Sequence, residues 1–186
     1  MATPPDFSSG AVLTAAQMNS VGLWKVASGS LSTATTNFQG CFTSEYRDYR
    51  IVIDSLGFSG AGDIYVRFLV SATPSTTADY FWALRGINSS AGIADNTGSA
   101  QTLIYCGASA SGATAADSSV TLDILSPQLA TKTIVLSSAF SLTSGVYVSR
   151  AGGAAFDVST QFNGLQFISA SAVTLSGNVT IYGYRK

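Results

Sequence analysis

Phe42-Thr43-Ser44-Glu45-Tyr46-Arg47-Asp48-Tyr49-Arg50-Ile51-Val52-Ile53-Asp54-Ser55-Leu56 is the stretch on which the fold turns. Its second half alternates with a period of two: Tyr49, Ile51 and Ile53 share one side, and Arg50 and Asp54 take the other beside Val52. That pattern predicts a strand with one dry face. Its first half gathers Glu45, Arg47, Asp48 and Arg50, so the lead-in is charged, local and nearly balanced.

Working outward from that strand, short apolar or alternating runs are broken by Gly, Ser, Thr, Asn and Asp clusters, which is the punctuation of an all-β chain. Upstream, residues 23–28 and 31–39 read as strands. Downstream, residues 57–63 read as a hairpin loop whose three glycines supply positive φ angles, and Ile64, Val66, Phe68 and Val70 form the apolar row of a return strand. Further strands are expected at residues 80–87, 101–107, 119–125, 132–142, 145–150, 162–170 and 177–184, with loops at 71–79, 88–100 and 108–118. No helical periodicity interrupts them, so a βαβ arrangement is excluded and a single two-sheet β-sandwich with jelly-roll-like connectivity is expected over residues 25–186. In the last strand Val179, Ile181 and Gly183 share one face and Tyr182 and Tyr184 the other, so the sheet ties that end of the chain down.

Residues 1–24 read differently. Pro4 and Pro5 favour an extended lead-in, and Thr14 can cap a short helix over Ala15-Ala16-Gln17-Met18-Asn19. One or two helical turns are not stable alone. Phe7, Leu13, Met18, Leu23 and Trp24 must therefore bury their apolar surface, either on the body of this chain or on a neighbouring protein. The expectation is an anchoring segment, residues 1–24, that docks through these five side chains.

Composition narrows the function. The chain has 186 residues, of which 10% are charged, against about 25% in a typical soluble domain, and its formal net charge is −1. A surface so poor in charge is wetted by hydroxyls or hidden against other subunits, and copies of the chain have little self-repulsion to keep them apart. A homo-oligomer is expected. Nine basic residues scattered against ten acidic ones do not make the cluster that displaces counterions from phosphates, so no nucleic-acid partner is expected. No stretch is long and apolar enough for membrane insertion, and the start lacks the basic and apolar regions of a signal peptide, which points to synthesis in a cytoplasm.

Catalysis finds little support. With no histidine, a Ser-His-Asp or Cys-His nucleophile has no base near neutral pKa, and a His-based metal site cannot be built. Cys41 and Cys106 are too few for a zinc site and read as buried thiols, although one bridge is geometrically open. The carboxylates Glu45, Asp48, Asp54, Asp79, Asp117 and Asp123 leave a glycosidase pair formally open, yet each fits a turn or a solvated strand face. No phosphate-cradling glycine motif precedes a helix, and no cofactor is expected. Binding is a better reading. Asp79, Tyr80, Trp82, Arg85 and Asn88 set aromatic faces beside hydrogen-bonding groups, the combination that holds sugar rings, although such a run also serves as core packing.

Three segments together carry a resemblance: Pro4-Pro5-Asp6-Phe7 with Gly10-Ala11-Val12-Leu13-Thr14-Ala15-Ala16-Gln17-Met18-Asn19, the strand from Phe42 to Ile51, and the closing Val179-Thr180-Ile181-Tyr182-Gly183-Tyr184. In that order they resemble small structural proteins of tailed bacteriophages, of the tail-fibre, minor tail or capsid-decoration type. What the resemblance implies is a non-enzymatic protein of the virion surface, commonly a homotrimer, attached through its N-terminal segment. The leading expectation is a tail-associated, adhesin-like subunit that presents its loops to a host-surface glycan. The alternatives are a capsid decoration protein that reinforces the head and, third, a glycan-cleaving virion enzyme.

Overall fold

A computed structural model of the chain describes residues 22–169 and 171–185, and all of its regular structure is β. The helix expected near Met18, and with it Phe7, Leu13 and Met18, lies outside the described residues. Thirteen strands follow in order: β1 (Leu23–Leu31), β2 (Thr35–Phe38), β3 (Tyr46–Phe58), β4 (Gly62–Val70), β5 (Thr73–Pro74), β6 (Tyr80–Asn88), β7 (Asn96–Gln101), β8 (Ile104–Ala110), β9 (Thr114–Leu125), β10 (Thr133–Thr143), β11 (Val146–Phe156), β12 (Gly164–Ser169) and β13 (Leu175–Arg185). Leu23 and Trp24 thus stand in β1, paired with Tyr184 and Gly183, and belong to the sheet rather than to a separate anchor.

Two antiparallel sheets form. The larger runs β1-β13-β3-β9-β10-β11-β6-β7, and the smaller runs β2-β12-β4-β5, with β8 also paired to β4. Within them, β1-β13-β3-β9 stands in one sheet and β2-β12-β4-β8 in the other, so the chain alternates between layers. The neighbouring pairs β6-β7 and β10-β11 both extend the larger sheet beyond β9.

The opening stretch lies at the centre of this arrangement. Tyr49, Ile51 and Ile53 are fully buried, as the alternation requires. Its charged side is paired across the sheet instead of locally: Arg50 forms a bidentate pair with Asp123 of β9, and Asp48 accepts the Ser126 N–H at 2.9 Å. Tyr49 closes the lead-in on itself, accepting the Thr43 N–H at 2.6 Å and donating to the Thr43 carbonyl at 2.8 Å.

Residues 57–63 correct one expectation. β3 and β4 do not pair as a hairpin; they lie in opposite sheets, and the segment between them carries the chain across the core. Their apolar rows still meet, because Ile64, Val66 and Phe68 are fully buried opposite Ile51 and Ile53. None of the three glycines has positive φ. Ser55 takes that role at +52°, in the bulge between Ile53 and Leu56, whereas Gly57 is needed for space, since a Cβ there would lie 2.8 Å from the Thr114 carbonyl oxygen.

One end of the core is aromatic. Phe42 packs 4.7 Å from Tyr49, Phe68 4.8 Å from Phe162, and Tyr80 4.8 Å from Phe156, measured between ring centroids. Fully burying side chains of this size contributes about 1.5–3 kcal/mol each. Cys41 and Cys106 are both free and buried. Desolvation holds the Cys41 thiol up at about 12 and pushes that of Cys106 up as well, so neither is a nucleophile at neutral pH.

Candidate functional site

The aromatic run on β6 is divided by its own pleat. Tyr80 faces the core with no exposed surface, accepting the Phe68 N–H at 3.2 Å and donating to the Ser75 carbonyl at 3.0 Å. Buried and fully used, it is withdrawn from the candidate glycan contacts. Trp82 is on the same side, half-buried, its ring 5.6 Å from that of Tyr105. A Cβ at Gly98 on neighbouring β7 would sit 2.3 Å from the indole, so glycine is what lets β7 cover it. Asn88 is spent on its own loop, its Oδ1 accepting the Ser90 and Gly92 N–H groups at 2.9 and 2.8 Å. Asp79 is half-buried where its carbonyl accepts the Asp157 N–H. Arg85 points outward and exposed. The five residues therefore do not converge on one place.

The outer side of the same strands is different. β10 alternates between a buried and an exposed set, but the largest apolar side chains are in the exposed one. Thr133, Ser137 and Ser141 are buried, while Ile134, Leu136 and Phe140 are exposed by 38%, 51% and 45%. Two of the inward hydroxyls are employed, Ser137 donating to the Cys106 carbonyl at 2.8 Å and Ser141 accepting the Ser109 N–H at 3.4 Å, both from β8. The strand gives its smaller side, Thr133, Val135, Ser137, Ala139 and Ser141, to the core and its larger apolar side chains to the outside.

Its neighbours complete a shallow trough. On β11 the outward residues are Tyr147, Ser149, Ala151, Gly153 and Ala155, and on β6 they are Phe81, Ala83, Arg85 and Ile87. The register aligns Ile134 with Ala155 and Phe81, Leu136 with Gly153 and Ala83, Ser138 with Ala151 and Arg85, and Phe140 with Ser149 and Ile87. Small residues of β11 thus make a floor between a β10 ridge and a β6 ridge, two strand spacings or roughly 10 Å apart. Open depressions of about 280–360 Å³ follow one another along that floor. At one end Phe140 and Tyr147 stack at 5.2 Å.

Beneath the trough Arg150 is 8% exposed and turned inward. Its guanidinium donates to the Gly107 carbonyl at 3.0 Å and the Ala94 carbonyl at 3.2 Å and lies 5.8 Å from the Tyr105 ring. It is a strut tying β11 to β8 and to the segment before β7. The sequence reading passed over it, although Arg150 shares the strand parity of the buried Val148.

Three of the six candidate carboxylates, Asp48, Asp54 and Asp123, are likewise occupied. Asp123 receives Arg50 at 2.8 and 2.7 Å and the Tyr184 hydroxyl at 3.2 Å, and the hydrogen bond from Arg50 holds its carboxyl below the ordinary range. Asp54 accepts from Asn178 at 3.0 Å, and Asp157 pairs with Lys132. Among the described residues no group of three or more metal-ligating side chains converges. The sequence reading also missed the trough, because Ile134, Leu136 and Phe140 are the face that periodicity assigns to a core.

No protein-family model matches the chain, and no curated protein matches it. Among solved structures it is similar to an exo-inulinase from Aspergillus awamori, at 12% identity and TM-score 0.37, over 87% of this chain and 29% of that one. It is also similar to a fructofuranosidase variant from Schwanniomyces occidentalis complexed with fructosylnystose, at 7% identity and TM-score 0.25, over 88% of this chain and 34% of that one. The chain spans about a third of the length of each, and at that level of likeness neither fold nor activity passes from them to it.

Proposed function

We propose that this chain is a non-enzymatic structural protein of the surface of a bacteriophage particle, built as a jelly roll and working by covering surface rather than by transforming a molecule. The observation that carries the assembly part of this reading is β10, which leaves Ile134, Leu136 and Phe140 outside while the smaller Val135, Ser137, Ala139 and Ser141 face the core. A strand loses free energy by that choice unless something covers its outer side. The bacteriophage part is carried by the resemblance of the segments around residues 4–19, 42–51 and 179–184. The jelly-roll part is supported by the interleaved order β1-β13-β3-β9 and β2-β12-β4-β8, the way two Greek keys wrap around one another, with β6-β7 and β10-β11 as added hairpins.

Within this reading the chain is a tail-associated, adhesin-like subunit synthesised in the host cytoplasm. Residues before β1 attach it to the particle, and exposed Arg85 with the partly covered Trp82 is what remains of the glycan-contact set. The second reading, capsid decoration, is favoured by the flat apolar trough, which suits a protein coat better than a hydrated glycan.

The test is where the protein sits. Antibody labelling of purified particles, read by electron microscopy, is expected to mark a surface position, at the tail for the first reading and on the head for the second. Absence from purified particles overturns the proposal, as does purified protein that cleaves a glycan with measurable turnover.

A further inference from the structure

We infer that the trough on the outer face of β6, β10 and β11 is the contact surface for a second copy of this chain, related by a two-fold axis running parallel to the strands between β10 and β11. The inference rests on the geometry of this face and not on the virion reading. It names two copies where the resemblance implied three.

The size of the face is the first ground. Six large apolar side chains, Phe81, Ile87, Ile134, Leu136, Phe140 and Tyr147, lie on it, each 38–59% exposed. With full side chains of this kind burying 150–250 Å², their exposed parts amount to roughly 500 Å². The small-residue floor and the rim bring the face towards the ~800 Å² that each partner contributes to a standard interface. Arg85 is the single outward charge on these three strands, and a net charge of −1 sets up little repulsion between copies.

Shape is the second ground. A two-fold axis between β10 and β11 lays the β10 ridge of each copy over the β11 floor of the other, at the same level along the strands. Leu136 then meets the partner copy's Gly153, Ile134 meets Ala155, and Phe140 meets Ser149, large side chains over small ones. The relation is reciprocal, as an isologous contact requires. It reproduces how two sheets pack face to face within a sandwich.

Charge is the third. The same operation sets β6 over the partner copy's β9, because these two strands flank the β10-β11 pair on either side. Asp123 is aligned with Leu136, and Arg85 with Ser138, one level further along the strands. The long arginine side chain spans that offset, so each Arg85 extends the Arg50–Asp123–Tyr184 group of the other copy and, in the paired state, is withdrawn from glycan contact.

Sedimentation equilibrium of the whole chain, with wild type and two variants, tests the pairing. Wild type is expected at twice the 19.1 kDa chain mass by about 100 μM. Leu136→Glu, on an exposed position, should keep the far-UV circular dichroism and the melting transition yet weaken association at least ~100-fold. Arg85→Glu should weaken association several-fold at low salt, with the difference from wild type shrinking as salt screens the ion pairs. A wild-type monomer at that concentration overturns the inference. So does a trimer, or a dimer that Leu136→Glu leaves intact. None of these outcomes decides whether the protein belongs to a virion, which the particle labelling reads separately.

Discussion

Tyr80 shows at the residue scale how one side chain that looks like a ligand platform becomes a structural tie. Its ring fills the aromatic end of the core and its hydroxyl joins the Phe68 N–H to the Ser75 carbonyl, so burial raises its pKa and keeps it neutral. Tyr80→Phe keeps the ring and orphans two backbone groups, and it should cost about 1–3 kcal/mol in a urea melt without changing the circular dichroism. A variant as stable as wild type would show that the bonds contribute nothing net. Asp123 is the second residue with a measurable consequence. Its folded-state pKa lies below the unfolded one, so the Arg50 pair adds stability above the ordinary carboxylate range and loses it as pH falls through the depressed value. Both partners are partly exposed, which limits the neutral-pH contribution to about 1 kcal/mol or less. Asp123→Asn should therefore be slightly less stable than wild type at pH 7 and equal to it in strong acid, as followed by urea melts along a pH series. A difference that grows on acidification would contradict the assigned cause. Neither role was legible in the sequence, because the partner of Arg50 is 73 positions away and only the β3-β9 register brings it near.

Elements were easier to read where one face was clearly apolar. β3, β4 and the inner row of β13 stand where alternation put them, since Tyr49, Ile51 and Ile53, Ile64, Val66 and Phe68, and Val179 with Ile181 are all inward, although Val70, expected to close the β4 row, is exposed. Reading failed where turn chemistry was unconventional. The β4-β5 reversal passes through Ser71 and Ala72, both at positive φ, with no Gly or Asn to mark it, and β7 hid in a stretch taken for loop because its Asn, Gly, Ser and Ala carry no apolar row. β10 stands where a strand was expected, but its exposed Ile134, Leu136 and Phe140 could not be told from a core row by alternation alone. The Gly152-Gly153 pair of β11 gives an element-scale test of how closely the strands approach. A Cβ at Gly152 would lie 2.1 Å from the Ala83 carbonyl oxygen and 2.6 Å from Leu84 Cα, both backbone, whereas one at Gly153 clears every neighbour by 3.7 Å or more. Gly152→Ala should destabilise by about 1–3 kcal/mol or more by overpacking, and Gly153→Ala should melt close to wild type. Equal melting of the two variants would mean that the β6-β11 contact is looser than these distances.

At the scale of the whole molecule the body closes on itself through strands far apart in sequence: β1 pairs with β13, β13 with β3, and β2 with β12. The expectation of two layers was sound because it needed only short strands and the absence of helical periodicity. Leu23 and Trp24, counted with the segment before residue 25, pair with Tyr184 and Gly183 in the sheet, as the strand read over residues 23–28 requires. This distinction can be measured. Among the described residues the buried core is drawn from Leu31 to Ile181; if residues 1–21 are a separable anchor, as proposed, removing them should leave a cooperative transition within a few degrees of the full chain. Removing residues 1–24 also takes the first two pairings of an edge strand and should lower the transition further, by an amount that reports how much of β13 depends on β1. If the shorter deletion already abolishes cooperative melting, the N-terminal segment is part of the body and cannot be a separable anchor. If it melts normally and the truncated protein no longer joins particles, stability and attachment are carried by different parts of the chain, with β1 as the boundary between them.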